Sequence, residues 1–357
     1  MQISKTTRAL SAPDRRVDRM KALFIGGTGT ISSAITALAS SLGWELTLLN
    51  RGNSNGRLPE GVETIQADIH DEASAAQKLQ GRRFDLVADF IAFEPEAVER
   101  DYRLFAGRTG QYIFISSASA YQKPPVNPFI TESTPLHNPY WLYSRNKAAC
   151  EDALMAHYRR DGFPITIVRP SHTYSDRSVP VGLHGAKGSW QVLRRMQQGK
   201  KVIIPGDGTT LWTLTHNEDF ARGFLGLMGN PHAIGQSVHI TSDERVTWNQ
   251  AHQAVAAALG VELKAMHVSS EFLDACSPTD LLGPLLGDKS NNAIFDNSKI
   301  KELTPGFAAA IRFDQGARRC VDYMLSHPET QVEDPDFDLW CDRVIQALEE
   351  AKAKLRP

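Results

Sequence analysis

Tyr143 and Lys147 stand four residues apart in the run Tyr-Ser-Arg-Asn-Lys, a spacing that puts both side chains on one face of a helix. An ammonium beside a phenol favours the phenolate, the condition under which a tyrosine exchanges a proton as a general acid or base near neutral pH. Upstream, Gly26, Gly27, Thr28 and Gly29 follow a short apolar run. In that setting a glycine turn lets a helix amino end, with its unpaired N–H groups, meet a phosphate. A Tyr and Lys at this spacing is by itself most often a coincidence on a helix surface. Joined to a phosphate-binding turn, it points to hydride-transfer chemistry.

Such residues must be held by a sheet. From Lys21 the chain alternates short apolar runs with helix-period segments, the runs being residues 21–25, 45–49, 62–67, 84–91, 111–116 and 164–168. Six strands with intervening helices predict an α/β fold with a Rossmann-type, doubly wound parallel sheet, each strand's carboxyl end facing a ligand crevice. A helix is expected from Trp141 to Asp161, ended by Gly162. After Pro170 the pattern loosens. A helix over 190–198, strands over 201–204, 238–241 and 263–268, and a helix over 247–259 describe a smaller C-terminal substrate-binding lobe interleaved with the first. Domain limits are expected at 1–20 for a disordered leader, 21–175 for the dinucleotide-binding domain, 176–325 for the substrate lobe and 326–357 for a C-terminal helical segment. Residues 283–292, rich in Gly, Pro, Asp and Asn, read as a long surface loop with a lid role, and the charge runs of 335–355 as a solvated helix face.

The 357 residues, 41% of them hydrophobic, suffice for a sizeable core. A formal charge of −2 offers no electrostatic footprint for nucleic acid or an anionic membrane. Cys150, Cys276, Cys320 and Cys341 lie far apart, without zinc-site spacing, and read as reduced, mostly structural thiols; no metal is expected. No apolar stretch approaches the roughly 20 residues of a membrane helix. Residues 1–20 lack a signal peptide's apolar centre, and Asp14 and Asp18 argue against a transit peptide, so a cytoplasmic protein is expected.

The second strand ends in Leu49, Asn50 and Arg51, where an NAD enzyme would usually carry an acid for the ribose 2′-hydroxyl. A guanidinium there can pair with a 2′-phosphate, which favours NADP, NAD remaining possible; the alternative is that Arg51 stacks on the adenine. Ser32 stands where a third glycine is usual, with a slightly wider turn expected. Asp68 and Ile69 are placed for the adenine edge, unless Asp68 caps the next helix. Further dinucleotide contacts are expected from Gly26, Thr28, Gly29, Thr30 and Ile31, from Phe90 and Ile91, and from Ser116, Pro170 and His172, with Tyr143 and Lys147 at the nicotinamide end. Lys147 can hold ribose hydroxyls, and a serine at the fifth strand's end can share the substrate oxygen with Tyr143.

The glycine turn, the run Ser116-Ser-Ala-Ser-Ala-Tyr121 and the Tyr143/Lys147 pair together resemble the extended short-chain dehydrogenase/reductase family, which includes nucleotide-sugar epimerases and dehydratases. The resemblance extends over roughly residues 21 to 325, supported by Arg169-Pro170, the turn at 205–208, His216 to Asp219 and Phe295 to Lys299. It implies Ser117, Tyr143 and Lys147 as the catalytic set, a homodimer, and a carbohydrate-like substrate. Ala118 and Ser119 replace the acids that eliminating members carry after the catalytic Ser/Thr, which disfavours elimination. Trp212 and His172 replace the family's arginine and asparagine for a nucleotide diphosphate. Ser119, His172 and Trp212 are therefore the expected substrate contacts, Trp212 stacking on a sugar or aromatic group and His172 hydrogen-bonding or acting as a second base. The outcomes left open are an epimerase, a simple reductase, an isoflavone-reductase-like enzyme of a non-sugar carbonyl, and a non-catalytic nucleotide-sensing or RNA-binding relative; the charge balance disfavours RNA.

Overall fold

The computed structural model describes residues 20–52 and 58–355, so the expected leader lies outside the described residues. The first half runs β1 (Lys21–Ile25), α1 (Ser32–Ser41), β2 (Glu45–Asn50), β3 (Glu63–Gln66), α2 (Glu72–Lys78), β4 (Leu86–Asp89), α3 (Pro95–Phe105), β5 (Tyr112–Ile115), β6 (Phe129–Ile130), α4 (Leu142–Asp161) and β7 (Ile165–Pro170). The second half runs β8 (His172–Tyr174), α5 (Trp190–Gln197), β9 (Val202–Pro205), β10 (Leu211–Trp212), β11 (Leu214–His216), α6 (Asn217–Leu227), β12 (Ser237–Ile240), β13 (Val246–Thr247), α7 (Trp248–Leu259), β14 (Ala265–Val268), α8 (Ser270–Cys276), β15 (Ile294–Phe295), α9 (Ser298–Leu303), α10 (Phe313–Ser326) and α11 (Pro335–Leu355).

Seven strands form one parallel sheet in the order β12-β7-β5-β4-β1-β2-β3. The order reverses between β1 and β4, which opens the ligand crevice beyond those two carboxyl ends. The six expected strands are all present, and β12, drawn from the stretch assigned to the second lobe, is the seventh, paired with β7. β1, β4 and β5 are buried almost throughout because helices cover both faces: α1 and α6 pack on one, α3 and α4 on the other. A second core, around Trp190, Trp212, Trp248 and Phe313, belongs to the C-terminal half, where α7 packs on α10 and short strand pairs (β8 with β11, β9 with β14) tie the lobe together.

Two expectations are corrected. Residues 282–289 are not an open loop but a wide helical segment with Gly283, Leu285 and Gly287 buried. Gly283 lies against Trp141, where any side chain would collide with the indole, and Asn138 clasps the segment by donating to Gly287 O (2.7 Å) and Ser119 O (2.8 Å). It is part of the wall of the site. On α11 the acidic residues are not merely solvated: Asp338 and Asp342 pair with the buried Arg195 (2.6 and 2.8 Å) while Cys341, Val344 and Ile345 fill a core. Among the described residues no helix is long and apolar enough to cross a membrane.

Candidate active site

The glycine turn sits between the end of β1 and the start of α1. Gly26 adopts φ +82°, and a Cβ there would come within 2.5 Å of Ile91, so backbone conformation and close packing both require glycine. Ser32 does more than stay small. Its hydroxyl accepts from Gly29 N (2.9 Å) and donates to Gly26 O (2.8 Å), lacing the turn shut where a wider one was expected. That leaves the N–H groups of Thr30 and Ile31, at the amino end of α1, without a hydrogen-bond partner among the described residues. The Thr30 carbonyl accepts from Asn217 (2.8 Å), which ties the turn to α6.

A cleft of about 500 Å³ opens on this turn, walled by Gly26, Thr28 and Gly29, by Asn50 and Arg51 after β2, by Asp68 and Ile69 after β3, and by Ile91 and Phe93 after β4. The Asn50 amide oxygen accepts from Gly52 N (2.9 Å), while its buried Nδ2 has no partner among the described residues. A buried donor left unpaired at the wall of a cleft fits a ligand acceptor. Asp68 does not cap the following helix, for Asp71 does so by accepting from Ser74 N; Asp68 instead accepts from His70 N (3.0 Å) at the rim. Arg51 is exposed at the mouth. The turn, the N–H groups of Thr30 and Ile31, the Asn50 donor and Arg51 at the mouth fit a dinucleotide.

Two expected contacts fall elsewhere. Phe90 turns under the sheet, edge-on to Phe24 with centroids 5.5 Å apart, and is not part of the cleft wall. Ser116 is 1% exposed and bonds Glu151, whose carboxylate in turn pairs with Arg169. Strand alternation sends Ser116 and Ser117 to opposite sides, and Ser116 faces the buried one.

A smaller cavity of about 230 Å³ lies at the ends of β5 and β7. Ser117, Ser119, Tyr143, Pro170, His172 and Trp212 all line it, Pro170 having been expected at the dinucleotide. Ser117 caps the short helical turn 118–120 by accepting from Ser119 N (3.2 Å), and its hydroxyl lies 2.8 Å from that of Ser119, which is 2.7 Å from Ser144. Tyr143 enters from the first turn of α4, its ring 5.0 Å from Trp141 and 6.2 Å from Phe93, and Phe93 walls the larger cleft. The neighbouring rings of Tyr143, on the small cavity, and Phe93, on the cleft, set the two cavities side by side.

Lys147 is 1% exposed, one helical turn beyond Tyr143. Its ammonium donates to the carbonyls of Ala92 and Ile115, both at 2.6 Å, and stands 4.6 Å from the Phe93 ring and 5.8 Å from that of Tyr143. Two of its three protons are therefore spent on strand-end carbonyls. Burial pulls Lys147 down to about 8 despite nearby Asp89 and Glu151. The expected depression of Tyr143 by this ammonium is not what the site does: burial raises the phenol, the Ser117 hydroxyl pulls the other way, and the Asp288 charge raises it further. Tyr143 is held in its protonated form. His172 is corrected as a base, for burial, helped by the charges of Lys289 and His184, takes it down to about 3 and keeps it neutral. Trp212 is 3% exposed, its ring tilted against that of Trp248 with centroids 5.6 Å apart, and its Nε1–H lacks an acceptor among the described residues.

Sequence reasoning missed Trp141, Lys123 and Asp288, which complete the cavity wall. Trp141 carried a signal, standing two residues before Tyr143 at the helix start; Asp288 was hidden in a stretch read as loop. Asp89 was missed as a brace: it accepts from Ile91 N (2.6 Å) and Ala92 N (2.9 Å), fixing the loop whose carbonyl holds Lys147, and is paired behind with Arg100 (3.3 Å). Among the described residues Asp176, His216 and Glu218 come together with metal-like spacing, but Arg319 already pairs with both carboxylates.

Residues 22–241 match the family described as the NAD dependent epimerase/dehydratase family. A 2'-dehydrokanamycin reductase of Streptomyces kanamyceticus is 24% identical over 290 residues, covering 81% of this chain and 80% of that one. The chloroplast stem-loop binding protein of 41 kDa b of Arabidopsis thaliana is 26% identical over 268 residues, covering 71% and 67%. Among solved structures, a UDP-glucose 4-epimerase of Thermotoga maritima superposes with a TM-score of 0.70 at 21% identity, over 86% of this chain and 99% of that one.

Proposed function

The chain belongs to the NAD dependent epimerase/dehydratase family, and from that premise we propose that it is a reductase of a ketone on a sugar-like ring, with Tyr143 as proton donor. The observation that carries this reading is the adjacency of the two cavities, Tyr143 and Ser117 lining the small one and Phe93, its ring 6.2 Å from that of Tyr143, lining the cleft at the glycine turn. A bound reduced nicotinamide would supply hydride to the substrate carbon. The Tyr143 phenol, kept protonated by its burial, hands its proton to the carbonyl oxygen. Ser117 donates to the same oxygen and steadies the charge that develops there. Lys147 buttresses the ends of β4 and β5 through Ala92 and Ile115 and leaves one N–H for a ribose hydroxyl. Trp141 and Trp212 give the ring flat apolar faces.

Asn50, Arg51 and the amino end of α1 would hold the dinucleotide, with NADP favoured because Arg51 stands where an acid would select NAD. A nucleotide diphosphate on the substrate finds little room in 230 Å³, below the roughly 300–1,000 Å³ of ordinary ligand pockets. The homodimer implied by the family is carried over on the same terms. The test is to denature the purified protein and identify any released nucleotide by chromatography and mass. An empty site that binds added NADPH supports the reductase. Retained oxidised NAD or NADP indicates cofactor recycled within each turnover and an epimerase instead.

A further inference from the structure

The cavity beside Tyr143 contains a charge that the reduction does not use. Lys123 is 3% exposed, held at its backbone by a hydrogen bond from its N–H to His137 O (2.8 Å), and its ammonium stands 6.0 Å from the centroid of the Trp212 ring. Among the described residues that ammonium has neither a hydrogen-bond acceptor nor an ion-pair partner. Asp288, on the wall of the same cavity, forms no ion pair with it among the described residues, although its charge favours the ammonium that burial disfavours. His172 is neutral and adds no charge. The cavity wall thus carries one cation, Lys123, and one anion, Asp288. A buried ammonium without a partner costs several kcal/mol, and in a built site that cost is offset by the anion it is there to meet. A second donor makes the same demand: the buried Trp212 Nε1–H, on a ring lining this cavity, has no acceptor among the described residues.

We propose that the substrate is a single sugar-sized ring bearing an anionic oxygen group, a carboxylate or a phosphate, which Lys123 reads from the side of the cavity where Trp212 lies. This rests on the reductase reading and narrows its substrate class. A neutral hydroxyl would satisfy the hydrogen bond but leave the charge uncompensated, while an ammonium substituent would meet a cation. Asp288 then serves the ring hydroxyls as an acceptor. Because the cavity is about 230 Å³, the anion is borne by the ring itself and not by a nucleotide arm.

The experiment uses the full chain saturated with NADP and follows quenching of tryptophan fluorescence, since Trp141 and Trp212 line the cavity. D-Glucose, D-glucuronate, D-glucose 6-phosphate and D-glucosamine are titrated as probes. Glucuronate or glucose 6-phosphate is expected to bind at least tenfold more tightly than glucose, the better of the two identifying carboxylate or phosphate as the group read. Lys123→Met is expected to abolish that preference, and Asp288→Asn, which removes the opposing charge, to strengthen it. Glucose or glucosamine binding as well as the anions overturns the proposal, as does a preference that survives Lys123→Met or the absence of any binding at millimolar probe. The reductase reading fails separately, by failure to bind NADPH, so the two outcomes are told apart.

Discussion

Replacing Arg51 by alanine is expected to weaken NADP binding by about 5- to 30-fold and NAD binding by less than about twofold. The magnitude follows from the position of the guanidinium. A hydrogen bond to a charged group contributes about 1.5–3 kcal/mol when shielded, and an exposed ion pair about 0.2–1 kcal/mol. Arg51 stands exposed at the mouth of the cleft, next to Asn50 and Gly52, so an intermediate value of about 1–2 kcal/mol applies, with each 1.4 kcal/mol worth a factor of ten. The side chain makes no ion pair among the described residues, so its removal has no folding cost to confuse the result. The assay is a fluorescence titration with NADPH and NADH on wild type and variant at two ionic strengths. Because the contact is screened, the NADP advantage should shrink as salt rises from ~0.05 to ~0.5 M. Equal losses for both nucleotides would refute the 2′-phosphate argument and leave Arg51 as an adenine cover.

Tyr143→Phe should lower turnover by about 10²- to 10⁴-fold, the usual worth of a positioned proton donor, with dinucleotide affinity nearly unchanged, measured by steady-state rates beside the same titration. The reduction rate should be level from about pH 6 to 7.5 and fall as pH rises past about 8: the phenol is raised by burial and stays in its acid form, while Lys147, lowered to about 8, loses its charge and the third N–H left for a ribose hydroxyl. A rate that rises through this range would contradict an acid role. Ser32→Ala should cost about 1 kcal/mol in urea unfolding and weaken dinucleotide binding, because two hydrogen bonds that lace the turn disappear. Glu151→Ala should destabilise by about 3–5 kcal/mol by stranding the buried Arg169, which urea unfolding would register. An RNA stem-loop should show no binding near ~0.15 M salt in a gel-shift assay, given the net charge of −2.

The sheet was legible because burial on both faces writes itself into sequence as continuous apolar runs, so β1, β2, β4, β5 and β7 were found within a few residues of their ends. The α4 helix and its Gly162 terminus, at φ +68°, were equally plain. Local pattern could not tell which partners the polar residues would find. Ser116 and Ser117 are neighbours in sequence but point to opposite faces, and only the fold tells which meets Glu151 and which the cavity. Lys147 read as the tuner of Tyr143, yet its protons go to Ala92 and Ile115, carbonyls supplied by two other strand ends. The segment 282–289 has the composition of a loop, but its glycines serve packing: Gly283 and Gly287 let it lie against Trp141 and Tyr140. Lys123 and Asp288 are distant in sequence and carry no motif, so their shared cavity was visible only in three dimensions.

The central claim is that hydride and proton reach one substrate carbonyl where the two cavities lie side by side, and deuterium transfer tests it most directly. The protein would be incubated with NADPH deuterated at C4, in each stereochemical form, and with keto derivatives of neutral and acidic sugars, and the products read by mass spectrometry. The account predicts an alcohol carrying deuterium at the carbinol carbon from one of the two forms, formed about 10²- to 10⁴-fold more slowly with Tyr143→Phe. NADPH that binds but delivers deuterium to none of these ketones, or a Tyr143→Phe protein that delivers it as fast as wild type, would contradict it.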